Sequence, residues 1–420
     1  DAIYHLLVDA IGRAGSTSAV SDLRDLVVRS IGGGLEIGPQ PRWEPRLGEV
    51  TQLDIGALLE FRFVEGFEML DAVPIEQASA DSPLPAVAAQ VGDLLLAHLR
   101  VYGRRLPVPS LMGSFAALMA LGVFTFSLRV DAAARALLRS GELPADMRPG
   151  APGPPPAALE LYCDFTGDVG SVSDGLTRRC VERDLDRVRL AFRDRMTFVV
   201  VEQALSRLPD ELARHQSLIR PEQLAQLAIL QTHRRVESYA AGRIDDLVAE
   251  TAGDEQTTDA EREFLRSTQS RDADELGKLL DVLAYVNESR ATTNAVRWYS
   301  SVGGLGKPYG LLRGATNSRR SWRYAPGDEL LHALLLAVFV DPTGRSARTD
   351  MPLQDVLTAL EHRFGILVDR PPAFLDGAEA RRASAANLDA FKSRLTLLGC
   401  FDSLSDDFSV QVVRHPLGGA

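Results

Sequence analysis

Apolar residues recur at helical spacing through most of this chain, most clearly toward its end. Leu330, Leu331, Leu334, Leu335 and Val338 share one helical face, and Leu353, Val356, Leu357, Leu360 and Phe364 share another. A third helix is predicted from about residue 378 to 398, with Gly399 as its stop. Residues 401–414 then read as a strand pair. A short strand from Phe401 to Leu404 leads through the Ser405, Asp406 and Asp407 turn to a second strand, in which Phe408, Val410 and Val412 alternate with polar or smaller neighbours. Three helices followed by a strand pair is the order of a winged helix-turn-helix, a docking surface for DNA or protein with no chemistry of its own.

Upstream, the same periodicity predicts a helical body. Ile3, Leu6, Leu7 and Ile11 open it, a loop follows at 32–34 with Pro39 and Pro41, and two helices run over 87–101 and 109–140, separated by a turn at Arg104 and Pro107. Residues 55–70 fit either a strand or a short buried helix. The run 111–128 is apolar enough to approach a membrane span, but it continues into an amphipathic stretch from Val130 to Ser140 and so reads as a buried core helix. Prolines 144, 149, 152 and 154–156 mark a linker. A short strand at 159–163 and a turn-rich loop lead into a strongly helical stretch from Ser173. Pro221 begins a further helix pair, 250–259 reads as an exposed loop, and 259–299 as one or two helices. The expected fold class is mainly α, a helical bundle body with a C-terminal winged helix-turn-helix domain. Its divisions are a helical unit at 1–145, a linker at 146–158, a bundle at 159–300, a Gly/Arg-rich connector at 301–326 and a separable winged-helix domain at 327–420.

Composition narrows the function classes. The chain has 420 residues, enough for several cores, and a net charge of −11, which argues against coating nucleic acid over the whole surface. Local basic patches stand out against that background. Between Lys307 and Pro326 there is no acidic residue, while Lys307, Arg313, Arg319, Arg320 and Arg323 alternate with Tyr309, Trp322 and Tyr324. Arginines interleaved with aromatics suit a phosphate-contacting loop, and equally suit acidic helices of a protein partner. On the third helix of the winged domain, Arg381, Arg382, Lys392 and Arg394 outnumber Asp376, Glu379 and Asp389, a mixture compatible with a recognition helix and also with a solvated face.

Catalytic and metal motifs are absent or broken. The glycine-rich stretch 301–310 invites a phosphate-loop reading, but Pro308 follows Lys307 where a Walker A needs Ser or Thr. Cys163 and Cys180 flank Asp164, Asp168 and Asp174, residues whose ordinary roles are turn formation and helix capping before Leu176. A nuclease of the restriction type needs an acid two residues before a lysine, and Leu276, Leu305 and Ala390 occupy those places. There is no CxxC and no paired histidine motif for zinc. No enzyme activity, metal or cofactor is therefore expected. The three scattered thiols and an opening without a basic, apolar leader fit a soluble cytoplasmic protein with no membrane partner.

The bundle, the connector from Trp298 to Arg313 and the terminal winged unit together resemble accessory subunits of bacterial anti-phage systems linked to DNA modification, either phosphorothioation or methylation. The resemblance covers residues 295–415 and carries no catalytic residue across. It implies a non-enzymatic subunit of a larger complex that binds DNA, or a scaffold that docks an ATPase or nuclease partner without touching DNA.

Overall fold

A computed structural model describes residues 2–31, 35–36, 42–43, 82–148, 159–253, 258–401 and 411–418. The 32–34 loop, the 55–70 segment, most of the proline-rich linker and residues 402–410 of the expected strand pair lie outside these residues.

The described chain is mainly helical. Helices α1 (Ala2–Arg13) and α2 (Ala19–Ile31) precede two short antiparallel strands, β1 (Leu35–Glu36) and β2 (Arg42–Trp43). Next come α3 (Pro85–Tyr102) and α4 (Val108–Ser140). Helix α4 starts behind Pro107 and ends where Gly141 takes a left-handed φ of 69° and returns its N–H to the Leu137 carbonyl. Strand β3 (Leu161–Tyr162) leads to α5 (Val172–Ala204), whose first turn is capped by the Ser171 hydroxyl accepting from the Asp174 N–H. The body is completed by α6 (Pro209–Ser217), α7 (Arg220–Leu230), α8 (Arg234–Gly253), α9 (Asp259–Gln269) and α10 (Glu275–Val302). Pro221 stands in the first turn of α7, as its fixed φ favours. The exposed loop is expected from 250, but α8 continues to Gly253, and residues 254–257 lie outside the described ones. The segment 259–299 divides in two: Thr258 and Glu261 form a capping box on α9, and Asp274 caps α10.

The long helices α4 and α5 each serve two hydrophobic cores. Their distal halves, through Leu137, Val200, Val201 and Ala204, join Leu227, Val236, Ala240 and Leu279 in a bundle core. Their proximal halves, through Leu118, Phe124, Cys180 and Leu185, join Leu7, Leu95, Tyr299 and Tyr324 and the interior of the C-terminal region, including Leu334, Phe364, Phe391 and Val413. Helix α4 is long and apolar enough to cross a membrane, and half of its most apolar window is buried within the protein.

Strands β4 (Leu312–Arg313) and β5 (Arg323–Tyr324) form an antiparallel hairpin after α10. Then follow α11 (Asp328–Phe339), β6 (Asp350–Pro352), α12 (Leu353–Phe364), β7 (Ile366–Leu367), α13 (Ala378–Leu397) and β8 (Val412–Arg414). The three predicted C-terminal helices are thus present. Strand β8 pairs antiparallel with β6, while Phe401 contributes one bridge, to Val413. Between α12 and α13, β7 pairs in parallel with β3, so Leu161 and Tyr162 lie beside Ile366 and Leu367.

Candidate interaction surface

The basic connector folds as a braced hairpin. Gly304 and Gly306 adopt left-handed φ values of 70° and 74°, and Gly310 packs so tightly on the Gly304 carbonyl that a side chain has no room. The amides that a phosphate loop would offer are already engaged: Gly304 donates to Ser301, Leu305 to Ser300, Lys307 to Gly304 and Gly310 to Lys307. At the hairpin base, the Tyr324 N–H donates to the Thr177 hydroxyl at 2.8 Å, and the Tyr324 carbonyl accepts from that hydroxyl and from the Asp164 N–H. The Tyr324 hydroxyl donates to the Asp184 carboxylate at 2.8 Å and meets the Tyr299 hydroxyl at 2.5 Å. Burial and the Asp184 charge drive both phenols far above their ordinary pKa, so they stay neutral. Trp322 donates its indole N–H to Ala315 and stacks on Tyr299.

Bracing sorts the sequence-predicted basic residues into two groups. The Arg313 guanidinium donates to the carbonyls of Lys307 and Pro308, and Arg323 lies 3.6 Å from the buried Asp174 carboxylate. Both hold the hairpin. Arg319 and Arg320, on a single 3-10 turn at its tip, are exposed, as is Lys307, and none of the three has an ion pair among the described residues. On α13, Arg381 pairs with Asp376, Lys392 with Asp389 and Arg394 with Asp328, whereas Arg382 has no such pairing among the described residues.

Sequence reasoning passed over a further participant. Arg178, one turn into α5, donates to the Arg320 carbonyl at 2.9 Å and to Asp174 at 2.9 Å. Arg178 and Arg323 therefore share the Asp174 carboxylate, and the Arg178 bond to the Arg320 carbonyl ties the hairpin tip to them. The only signal in the chain was an arginine in the first turns of the helix after the aspartate-rich loop, which says nothing about a hairpin far downstream. Polar residues on α13 face inward: the Asn387 side chain accepts from the Phe165 N–H at 2.7 Å and donates to the carbonyls of Cys163 and Val368, both at 2.9 Å.

The aspartates near Cys163 act as turn formers. Asp164 accepts from the Thr166 N–H and hydroxyl and from the Ser173 hydroxyl, while the cap itself comes from Ser171. Burial pushes the Cys163 thiol up and Cys180 up to about 12, so both remain protonated. Among the described residues no cluster of histidine, cysteine and acidic side chains could hold a metal ion.

Across residues 1–417 the chain matches the family model described as methylation-associated defense system protein MAD7. No curated protein and no solved structure matches it.

Proposed function

The chain belongs to the MAD7 family of methylation-associated defense system proteins, and we propose that within such a system it is a non-enzymatic, cytoplasmic subunit that contacts DNA. The observation that carries this reading is the hairpin tip, where Arg319 and Arg320 stand exposed on a braced turn beside Arg178 in a chain of net charge −11. A braced base with exposed guanidiniums at its tip suits contact with phosphates without reading bases. A variant winged helix in the C-terminal region is supported by two features: β6 lies between its first two helices, and Val413 of β8 pairs with Met351 on one side and bridges to Phe401.

The third helix of that unit favours a second reading for its own role. Ser384, Asn387, Phe391 and Leu395 are buried against the body, and three of its four basic residues are held by carboxylates of this chain. A recognition helix presents such residues to a groove. Here the winged unit serves as a protein-docking module for an ATPase or nuclease, and DNA contact is left to the hairpin.

Fluorescence anisotropy on labelled duplexes of unrelated sequence tests the assignment. Replacing Arg319 and Arg320 with alanine is expected to weaken binding by a similar factor on every duplex and to flatten the log–log salt slope by roughly two units. Unchanged DNA binding, with loss of the double variant from its native complex in a pull-down, would transfer the hairpin to the docking role.

A further inference from the structure

In the bundle half of the molecule, helices α4, α5, α7 and α10 surround a cavity of about 910 Å³. None of its lining residues belongs to the basic connector. Helical spacing explains how it arises. On α4, Phe126, Val130 and Ala134 recur along one stripe of the lining, and on α5 Phe192, Met196 and Val199 do the same. The facing stripe of α10 is made of Ala291, Thr292 and Ala295 before Trp298 ends it. Those small side chains do not reach across, so apolar faces that would interlock in a filled core stand apart and stay only half-buried.

Three acids share this lining, and only one of them lacks a cation. Asp194 is held by Arg135 through two bonds, at 2.9 and 3.0 Å, and Glu202 pairs with Arg220 at 3.5 Å. Asp131, beside Val130 on the α4 stripe, has neither a hydrogen bond nor an ion pair among the described residues. Burial first, and the Asp194 charge second, raise its carboxyl to about 7. A guanidinium within ion-pair reach would have pulled it down instead, so Arg195, an exposed side chain of the same lining, does not serve as its partner. A volume within the roughly 300–1,000 Å³ typical of small-molecule sites, apolar and aromatic walls, and one uncompensated carboxylate together suit an organic cation. An ammonium there would return the carboxylate to its charged form and cover the half-buried rings around it.

We propose that this cavity binds a small organic cation, a protonated amine on an apolar or aromatic body, with Asp131 meeting the ammonium and the rings of Phe126, Phe192 and Trp298 covering the body. This site is independent of the hairpin and of any DNA contact. Phenylbutylamine, phenylbutanol and phenylbutyrate share one body and differ in charge. Their titration into the full-length protein at pH 8, read by calorimetry and by the shift in melting temperature, tests the assignment. The amine is expected to bind saturably, the alcohol about tenfold or more weakly, and the acid not at all. Asp131→Asn should weaken the amine about tenfold or more and leave the alcohol unchanged, since only a charge-assisted bond is lost. The carboxyl must be ionised to hold an ammonium, so amine affinity should fall as pH is lowered through about 7, and the Asp131→Asn protein should lose that dependence. Thr292→Phe, which sets a ring into the gap left by the small residues of α10, should block amine and alcohol alike. The Arg319→Ala, Arg320→Ala double variant should bind the amine as the parent does. Each variant is first checked for an unchanged helical circular dichroism spectrum. The proposal fails if the amine gives no saturable signal, if the alcohol or the acid binds as tightly, or if the folded Asp131→Asn or Thr292→Phe protein retains full amine affinity.

Discussion

Single side chains decide how the C-terminal region joins the body, and Asn387 is the clearest of them. It is fully buried and satisfies three backbone groups drawn from two distant segments. Asn387→Ala leaves those groups without partners, at roughly 1–3 kcal/mol for a buried unsatisfied group, so a drop in stability of at least about 2 kcal/mol is expected in urea unfolding. Asp131 acts in the opposite sense. Burial first, and then the Asp194 charge, raise its carboxyl to about 7, while Arg135 is occupied by Asp194. Its folded pKa lies above its unfolded one, so its contribution is fully present below about pH 4 and is lost as pH rises through about 7. Asp131→Asn should therefore raise stability at pH 8, change little at pH 4 and flatten the profile between them; an equal effect at both values would show that the carboxyl is not strained. In the sequence, the exposed basic residues of the connector were visible as a charge run, but which of them were structural was not. Arg313 and Arg323 differ from Arg319 and Arg320 only in what the fold places beside them.

At the scale of elements, apolar periodicity made α1, α3, α4, α5 and the three C-terminal helices legible, because each carries buried apolar residues at helical spacing. Helix α6 escaped notice: its nine residues are largely polar, with only His215 buried, so no apolar stripe marks it. The pairing of β3 with β7 joins residues about two hundred positions apart through two-residue strands, and such short runs hold no long-range signal. The glycine-rich connector was legible as irregular and wrongly suggestive of phosphate, since its amides close the turn on itself. Gly310→Ala would force a methyl group against the Gly304 carbonyl. Overpacking of this kind costs about 1–3 kcal/mol, and because the hairpin hangs on that turn, limited proteolysis should begin between Gly310 and Arg323 in the variant before it does in the parent. Ser171→Ala, by contrast, removes one helix cap, worth about 1 kcal/mol, and should lower the melting temperature without exposing the hairpin.

For the whole molecule, the decisive fact is that the C-terminal helices share their interior with the rest of the chain. Beyond its acidic first turn, helix α11 is apolar on all sides but at His332, and Leu330, Leu331, Leu334, Leu335, Leu336, Val338 and Phe339 are all buried. A helix of that kind needs neighbours on every side. It packs on α12 within its own region, but also on α4 and α3. Helix α13 packs on α5, and β7 completes its pairing with β3. Excised, residues 326–418 would expose the α4-facing side of α11, the Asn387 side chain and an open edge of β7. The sequence pattern, in which three periodic helices follow a glycine-rich stretch, suggests an independent unit because periodicity reports that a face is buried and never what covers it. The expected result for the isolated fragment is therefore a helical but loosely packed state, with far-ultraviolet circular dichroism retained and a broad, non-cooperative melt. Mixing it with the complementary fragment 1–325 should restore a cooperative transition. A sharp unassisted melt of 326–418 would show instead that the C-terminal region stands alone and that its contacts with α4 and α5 are incidental to its stability.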